Sequence, residues 1–163
     1  MVLKKSSFNI NLGGVVMKYY YPAIFEPMES NSNGFVIIVP DVKGCVSQGY
    51  NLEECMYMAH DAIGCMLDGI DTSNYPKPSS TNDIDISEYP KGSFVTLVCF
   101  DKDKYDADRN KIRFAREKAG LNIKQLAELI GAPYRTVQDW NNGKRKPPIW
   151  LQNLIVEKIE ASL

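Results

Sequence analysis

The sequence predicts an α+β domain followed by an all-α domain, and three observations support this prediction. Between residues 17 and 100, aromatic and β-branched runs are followed by an amphipathic stretch and then by another apolar run. Residues 109–163 hold short helical patterns separated by glycines. The charge divides at nearly the same place, because residues 1–107 carry a net charge of −6 and residues 108–163 carry +5. Two modules that face different partners are therefore expected.

The composition is that of a globular chain, with 44% of its 163 residues hydrophobic and 24% charged. No apolar run approaches the ~20 residues that a membrane helix needs, so we expect a cytoplasmic protein without membrane contact. The four cysteines contain no CxxC pair. This pattern indicates reduced thiols that serve as small core residues, rather than disulfides or a zinc site.

The same patterns give the expected domain bounds. Residues 1–16 are interpreted as an N-terminal extension, because Met17 begins the segment "MKYYYPAIFEP" and resembles a natural start. The α+β domain then covers residues 17–100. The polar stretch "DKDKYDAD", residues 101–108, is the predicted linker, and residues 109–163 form the helical domain.

The first module has the expected element order β-β-β-α-β. "KYYYPAIFE" and "GFVIIV" are predicted strands, with the turn residues "NSNG" between them, and "GCVSQG" is a short third strand. A long helical pattern, "NLEECMYMAHDAIGCMLDG", follows. "SFVTLVCF" is the last strand, after a polar, proline-bearing loop. A continuous apolar run of this kind is typical of a buried strand.

The predicted helix of this module is amphipathic and begins with a capping box formed by Asn51 and Glu54. Its apolar side holds seven residues at helical spacing: Leu52, Cys55, Met56, Ala59, Ile63, Met66 and Leu67. Its other side is acidic and includes Glu53 and Glu54. This acidic face is either a solvated surface or a contact for a partner.

The second module contains two helical patterns joined by a short turn. Asn122 is a good N-cap for "IKQLAELI", and Gly131 can supply the positive φ of a tight turn before "PYRTVQDWNNG". This arrangement predicts a helix-turn-helix whose second helix enters the major groove of DNA. The alternative is a helical bundle with a basic, solvated face.

Under the helix-turn-helix hypothesis, the residues that face DNA follow from the helical period. Val137 and Trp140 face inward, and Trp150 is also assigned to the core. The outward residues of the second helix are then Tyr134, Arg135, Thr136, Gln138 and Asp139. Arginine and glutamine make paired hydrogen bonds to guanine and adenine edges. The residues expected to contact phosphates at the edges are Lys124, Lys144 and Arg145.

The segments "GLNIKQLAELIG" and "TVQDWNNGKRKPP" resemble the Xre or lambda-repressor-like helix-turn-helix family, across residues 109–148. The tryptophan–glycine–basic–proline ending is a specific feature of this resemblance. It implies a DNA-binding domain of about five helices that works as a dimer.

The first module resembles the HicB antitoxin family, across about residues 17–100. The motif residues are Pro40, Asp41, Gly44, Cys45, Gly49 and the helix start "NLEEC". The resemblance implies a truncated ribonuclease H-like fold that binds a HicA-like toxin, a small basic ribonuclease that cleaves messenger RNA. It also implies repression of the shared operon through double-stranded operator DNA, by a homodimer or, if the first modules also pair, a homotetramer. Asp41, Glu53 and Glu54 are the expected partner contacts.

Catalysis is not expected, and neither is a metal or another cofactor. The single histidine, His60, has no cysteine on its own side of the helix, although a contact with Cys45 or Cys99 through the fold is left open. The segment "NLGGVV" lacks the lysine and the spacing of a phosphate-binding loop.

Two other functions are weighed against the antitoxin. A stand-alone regulator whose first domain senses a small ligand is the main alternative. A metal-dependent nuclease is the third hypothesis, but it needs a cluster of carboxylates. Asp41 is the only acidic residue between Glu29 and Glu53, so the predicted strands offer no such cluster.

Overall fold

A computed structural model describes residues 17–163, and the extension expected at residues 1–16 lies outside the described residues. The described chain divides into two compact units, residues 17–109 and residues 110–163. Among residues 17–163, no helix has the length and apolar content needed to cross a bilayer.

The first unit has the predicted element order with one helix added at its end. Its elements are β1 (Lys18–Met28), β2 (Asn31–Ile38), β3 (Val46–Gly49), α1 (Leu52–Leu67), β4 (Phe94–Asp101) and α2 (Lys102–Arg109). The strands form one sheet in the order β3-β2-β1-β4 with every neighbouring pair antiparallel. The mixed α+β class predicted for this module is confirmed.

The core of this unit lies between the sheet and α1. Alternate residues of β1, namely Tyr21, Ala23 and Phe25, are fully buried in it, as strand geometry requires. Aromatic rings fill one end of the core: Phe25 stacks on Phe94 with ring centroids 5.1 Å apart, and Phe35 meets Phe94 edge-on at 5.4 Å. Paired rings of this kind add to the stabilisation from burial.

Helix α1 begins at the predicted cap, although the predicted capping box is only partly formed. The Asn51 side chain accepts a hydrogen bond from the Glu54 backbone N–H at 2.9 Å. Glu54 returns its carboxylate to the N–H of Tyr50, at 2.8 Å, rather than to that of Asn51. The cap therefore also fixes the residue that joins β3 to the helix.

The buried side of α1 is narrower than predicted. Four of its seven residues are buried: Cys55, Ala59, Ile63 and Leu67. Leu52, Met56 and Met66 are exposed. The buried residues form a single i, i+4 row that reaches Leu67, the last residue of the helix, and the exposed ones lie beside this row.

The stretch suggested as a linker, residues 101–108, is folded. Asp101 ends β4, and the following residues form α2. Tyr105 of this helix is buried against α1, where Gly64 has no side chain. A Cβ at Gly64 would lie only 2.2 Å from the nearest ring carbon of Tyr105. This close approach explains how one aromatic residue anchors a helix that is otherwise polar.

The predicted turn "NSNG" lies elsewhere in the structure. The chain turns at residues 29–30, and Asn31 already belongs to β2. The Asn31 side chain donates a hydrogen bond to the carbonyl of Tyr50 at 3.1 Å. This bond ties the start of β2 to the end of β3, so asparagine serves here in a strand.

The second unit is entirely helical, as predicted. Its helices are α3 (Lys111–Lys118), α4 (Ile123–Ile130), α5 (Tyr134–Asn141) and α6 (Ile149–Glu160). Their shared core consists of Ile112, Ala115, Leu126, Ala127, Val137, Ile155, Val156 and Ile159. Each of the first three helices has only eight residues. Such short helices depend on packing and caps, because isolated helices of this length are unstable in water.

Buried polar bonds join the ends of these helices. Asn110 donates from its side chain to the carbonyls of Trp140 and Asn141, at 2.9 and 3.1 Å. Arg116 donates to the Asn141 side chain at 2.8 Å and to the Leu121 carbonyl at 2.6 Å. These bonds hold the end of α5 against α3 and satisfy carbonyls that a helix terminus leaves unpaired.

Candidate nucleic-acid interface

Helices α4 and α5 are joined by a short turn of the kind that the sequence predicted. Gly131 ends α4 in the left-handed region, with φ of 69°, and Ala132 donates to the Ala127 carbonyl at 3.1 Å. At the other end of α4, the Asn122 and Gln125 side chains form a complete capping box. Both ends of α4 are thus fixed by local bonds, so the turn holds α5 at a defined angle.

Helix α5 presents several of the predicted DNA-contacting side chains to solvent. Tyr134 is exposed, and the Arg135 side chain is 74% exposed. Thr136 and Gln138 are half-buried. The Arg135 guanidinium donates to the Gln138 side-chain oxygen at 3.4 Å, so the two side chains suited to base edges lie beside one another.

Asp139 was predicted to face outward, but it is buried. Its carboxylate lies 3.7 Å from Nε of Arg135 and 3.9 Å from Nε of Arg145. Its backbone carbonyl accepts hydrogen bonds from the N–H groups of Lys144 and Arg145, at 3.0 and 3.3 Å. The structure therefore brings the recognition helix and the basic segment after it together around one acid.

The remaining predicted contact, Lys124, lies on α4. Its side chain is 77% exposed and lies 4.0 Å from Glu128, one turn later on the same helix. An exposed pair at this distance is weak in water, so the Lys124 ammonium is available for a phosphate.

The tryptophans differ from their predicted placement. Trp140 packs against the core of the second unit, as predicted. Trp150 is 67% exposed, so its assignment to the core is wrong. It lies in the first turn of α6, on the same side as Leu154, while the core side of the helix holds Ile155 and Ile159. Ile149 and Leu154 are also exposed, at 71% and 52%. We call Ile149, Trp150 and Leu154 the α6 patch.

The three predicted partner contacts of the first unit have different environments. Asp41 accepts hydrogen bonds from the backbone N–H and hydroxyl of Ser79, at 2.8 and 2.6 Å, and so holds the long loop before β4. Glu54 caps α1, whereas Glu53 is exposed. Asp41 and Glu54 thus have structural roles in the fold, and Glu53 is the exposed acid of the three.

His60 has a structural role in the first unit. Its Nε2 lies 3.2 Å from the carbonyl oxygen of Asp101, and its ring packs near those of Phe100 and Tyr105, with centroids 5.4 and 6.2 Å away. All four cysteines are unpaired thiols. Within residues 17–163, no three histidine, cysteine or acidic side chains lie together as a metal site would require.

The sequence did not reveal the polar contacts that fix the interface. Asn110 precedes an apolar helical pattern, which is an N-cap signal, and its side chain does accept from the N–H of Arg113 at 3.0 Å. That signal gives no indication of the bonds to the end of α5. The burial of Asp139 likewise has no local signal, because helical period alone places it beside Arg135.

Comparisons with known proteins match two families to the chain, and the first match extends from the first unit into the second. Residues 21–124 match the family described as HicB_like antitoxin of bacterial toxin-antitoxin system, and residues 112–149 match the family described as helix-turn-helix. An uncharacterized 14.9 kDa protein from the rep-hol intergenic region of Haemophilus phage HP1 is 32% identical over 109 residues, which cover 65% of this chain and 74% of that protein. A chain of a toxin–antitoxin complex from Streptococcus pneumoniae aligns with a TM-score of 0.45 and 20% identity, over 71% of this chain and 98% of that chain.

Proposed function

Because the chain belongs to the HicB-like antitoxin family, we propose that it neutralises a HicA-type toxin and represses its own operon by binding operator DNA. The toxin is a small basic ribonuclease that cleaves messenger RNA, and it is bound by the first unit. The second unit binds the DNA. The protein acts by binding alone, without a catalytic step.

The observation that best supports DNA binding is the exposed face of α5. Arg135 and Gln138 lie side by side on the second helix of a helix-turn-helix, and both residue types read base edges in the major groove. The exposed side chains of Lys124, Lys144 and Arg145 can neutralise phosphates beside it. Residues 110–163 carry a net charge of +5, which favours approach to DNA.

Base reading and phosphate contact are separated by comparing two duplexes. One is recovered from a randomised pool by the wild-type protein, and the other is a random duplex of equal length. Arg135→Ala is expected to weaken binding to the recovered duplex by about 1–3 kcal/mol and binding to the random duplex much less. Lys144→Ala is expected to weaken binding to the two duplexes equally. It should also lower the slope of log affinity against log salt concentration by about 1.

Lys158→Ala is the matched control, because Lys158 is an exposed base on α6. It should leave both affinities near those of the wild type. Equal losses on the two duplexes for Arg135→Ala would contradict base reading. The absence of preference for any duplex in the wild type would overturn the DNA-binding proposal.

Charge supports the proposal that the first unit binds a basic toxin. Residues 17–109 carry a net charge of −8, and complementary charge raises association rates and disfavours wrong partners. The test is to co-express this chain with the product of the neighbouring gene and to measure growth. The wild-type chain is expected to restore growth of cells that express the toxic neighbour. Failure to restore growth would overturn this part of the proposal.

Glu53→Lys tests the expected contact without disturbing the fold, since Glu53 is exposed. It should weaken toxin binding if the exposed side of α1 lies in the interface. Asp41→Asn is less specific, because it also weakens the bonds to Ser79. Glu88→Lys, an exposed acid in the loop before β4, is the charge-matched control.

The α6 patch supports a homodimer formed through the second unit. Exposed large apolar side chains grouped on one helix are typical of interaction sites. Two recognition helices must meet half-sites about one helical turn of DNA apart, so a dimer fits the proposed operator binding. Sedimentation of Trp150→Glu should show a smaller species than the wild type, or, if the first units also pair, a dimer in place of a tetramer. An unchanged sedimentation mass in Trp150→Glu would show that the α6 patch does not form the dimer contact.

A further inference from the structure

Asp139 differs from the other acids that form ion pairs in the second unit. Its side chain is only 13% exposed, compared with 50% for Glu117 and 67% for Glu128. It also lies in the last turn of α5, where the partial negative charge of the helix terminus disfavours a carboxylate. Burial of a charge is costly unless it is paired, so the local structure alone gives little reason for an acid here.

The partners of Asp139 are residues that the proposed DNA contact uses. One carboxylate oxygen faces Nε of Arg135 in the first turn of α5, and the other faces Nε of Arg145 in the basic segment. The backbone carbonyl of Asp139 also accepts from the N–H groups of Lys144 and Arg145. The backbone carbonyl of Asp139 therefore fixes the path of the basic segment, and its carboxylate lies within ion-pair distance of two guanidinium groups.

We propose that Asp139 is a positioning residue for DNA recognition, which holds Arg135 and Arg145 in the orientation in which they meet the duplex. It sets the discrimination between sequences rather than the strength of attraction to DNA. This inference rests on the proposed DNA binding and adds a residue that does not itself touch the bases.

Neutralising Asp139 should lower the preference for the specific duplex without weakening binding to a random one. An arginine that loses its carboxylate partner explores more rotamers, and ordering it on a specific base costs more free energy. Removal of a negative charge close to the phosphates, in contrast, strengthens binding to any duplex. A residue with a purely structural role would lower both affinities together.

The test uses the full chain and two duplexes: one recovered by the wild type from a randomised pool, and a random duplex of equal length. Asp139→Asn keeps the shape of the side chain and removes its charge. We expect the ratio of the two affinities to fall about tenfold, the lower end of what one well-aligned arginine–base contact supplies. Affinity for the random duplex should stay the same or rise.

Two further variants separate positioning from net charge and from folding. Glu157→Gln makes the same change in charge at an exposed position of α6, and its affinity ratio should match that of the wild type. In a background of Arg135→Ala and Arg145→Ala, Asp139→Asn should no longer alter the ratio, because the residues it positions are gone. The melting temperature of each variant shows whether the second unit is still folded.

Several outcomes would overturn the inference. An unchanged ratio in Asp139→Asn would do so, as would equal gains on both duplexes, which charge alone explains. Equal losses with a lowered melting temperature would assign Asp139 to stability. In each case the wild type would still prefer its own duplex, and the proposed DNA binding would stand. If the wild type preferred neither duplex, both this inference and the proposed DNA binding would be overturned.

Discussion

The two units of this HicB-like antitoxin are held together in different ways. The first unit has a core of aliphatic and aromatic side chains between a four-stranded sheet and one long helix. The second has four shorter helices whose ends are joined by polar side chains, with Asn110, Arg116 and Asn141 at the centre. The first is therefore expected to depend on shape and volume in its interior, and the second on individual hydrogen bonds.

This difference matches what each unit presents to its surroundings. A helix-turn-helix must hold one short helix at a fixed angle, and α5 is only eight residues long. Bonds from the Asn110 side chain to the carbonyls of Trp140 and Asn141 hold the end of this helix. The first unit instead presents the exposed side of α1, a helix that packs on the sheet through its other side. The following changes test this comparison, from the largest expected effect to the smallest.

Gly64→Ala should destabilise the first unit by about 2–3 kcal/mol, because the added methyl group overlaps the ring of Tyr105. Hydrogen exchange measured by mass spectrometry should show faster exchange in peptides of residues 17–109 and little change in residues 110–163. Glu53→Ala, at an exposed position of the same helix, is the control and should have little effect. Unchanged exchange near α2 would contradict the close packing of Tyr105 on Gly64.

Asn141→Ala should destabilise the second unit by about 2 kcal/mol, because the Arg116 guanidinium loses a buried acceptor. The same exchange measurement should now show the effect in residues 110–163 and leave residues 17–109 unchanged. Lys146→Ala is the control, since Lys146 is exposed in the segment after α5, whereas the Asn142 side chain accepts a hydrogen bond from Asn141 at 3.2 Å. Comparable losses from the two substitutions would show that the polar network is not what holds α5.

Alkaline pH should affect the first unit through its buried tyrosines. Burial raises the pKa of Tyr21 to about 12, and it also raises that of Tyr105 to about 12. The pKa of a tyrosine in the unfolded chain is about 10. The contribution of each buried, neutral tyrosine to the free energy of unfolding is therefore fully present below pH 10 and is lost as the pH rises towards 12. At pH 11 the free energy of unfolding should be lower by about 1 kcal/mol for each of the two tyrosines.

Urea unfolding followed by circular dichroism between pH 8 and pH 11 measures this loss. Tyr21→Phe should make the unfolding free energy less dependent on pH, at the cost of the hydrogen bond from Tyr21 to the Pro76 carbonyl. Tyr20→Phe, at an exposed position of β1, should retain the wild-type dependence. Equal slopes in the two variants would show that burial of Tyr21 does not set the alkaline limit.

The sequence predicted the order of every element except α2, since each of the others has a recognisable local pattern. The central stripe of α1, the cap at Asn122 and the glycine at 131 all follow from helical period and backbone preference. The extent of burial did not follow. Met66 continues the apolar period but is exposed, although the next residue, Leu67, is buried, and the period alone does not show which of the two the fold covers.

Two other features could not be predicted from local sequence patterns. The stretch 101–108 is rich in charge and suggested a linker, but one tyrosine and the space at Gly64 are enough to dock it as a helix. On α5, helical period predicted that Asp139 faces outward beside Arg135, whereas the fold of the segment after α5 buries it. Contacts between residues brought together by a turn are not encoded in any single periodic pattern.

The placement of the two tryptophans makes the second unit observable on its own. The chain contains only Trp140 and Trp150, and both belong to residues 110–163. Their indole emission is therefore a local signal, against which the first unit contributes only tyrosine. With Trp150 open to solvent, dissolved iodide should quench it readily, and protection from that quencher at rising protein concentration would report self-association in a chain that carries no added label.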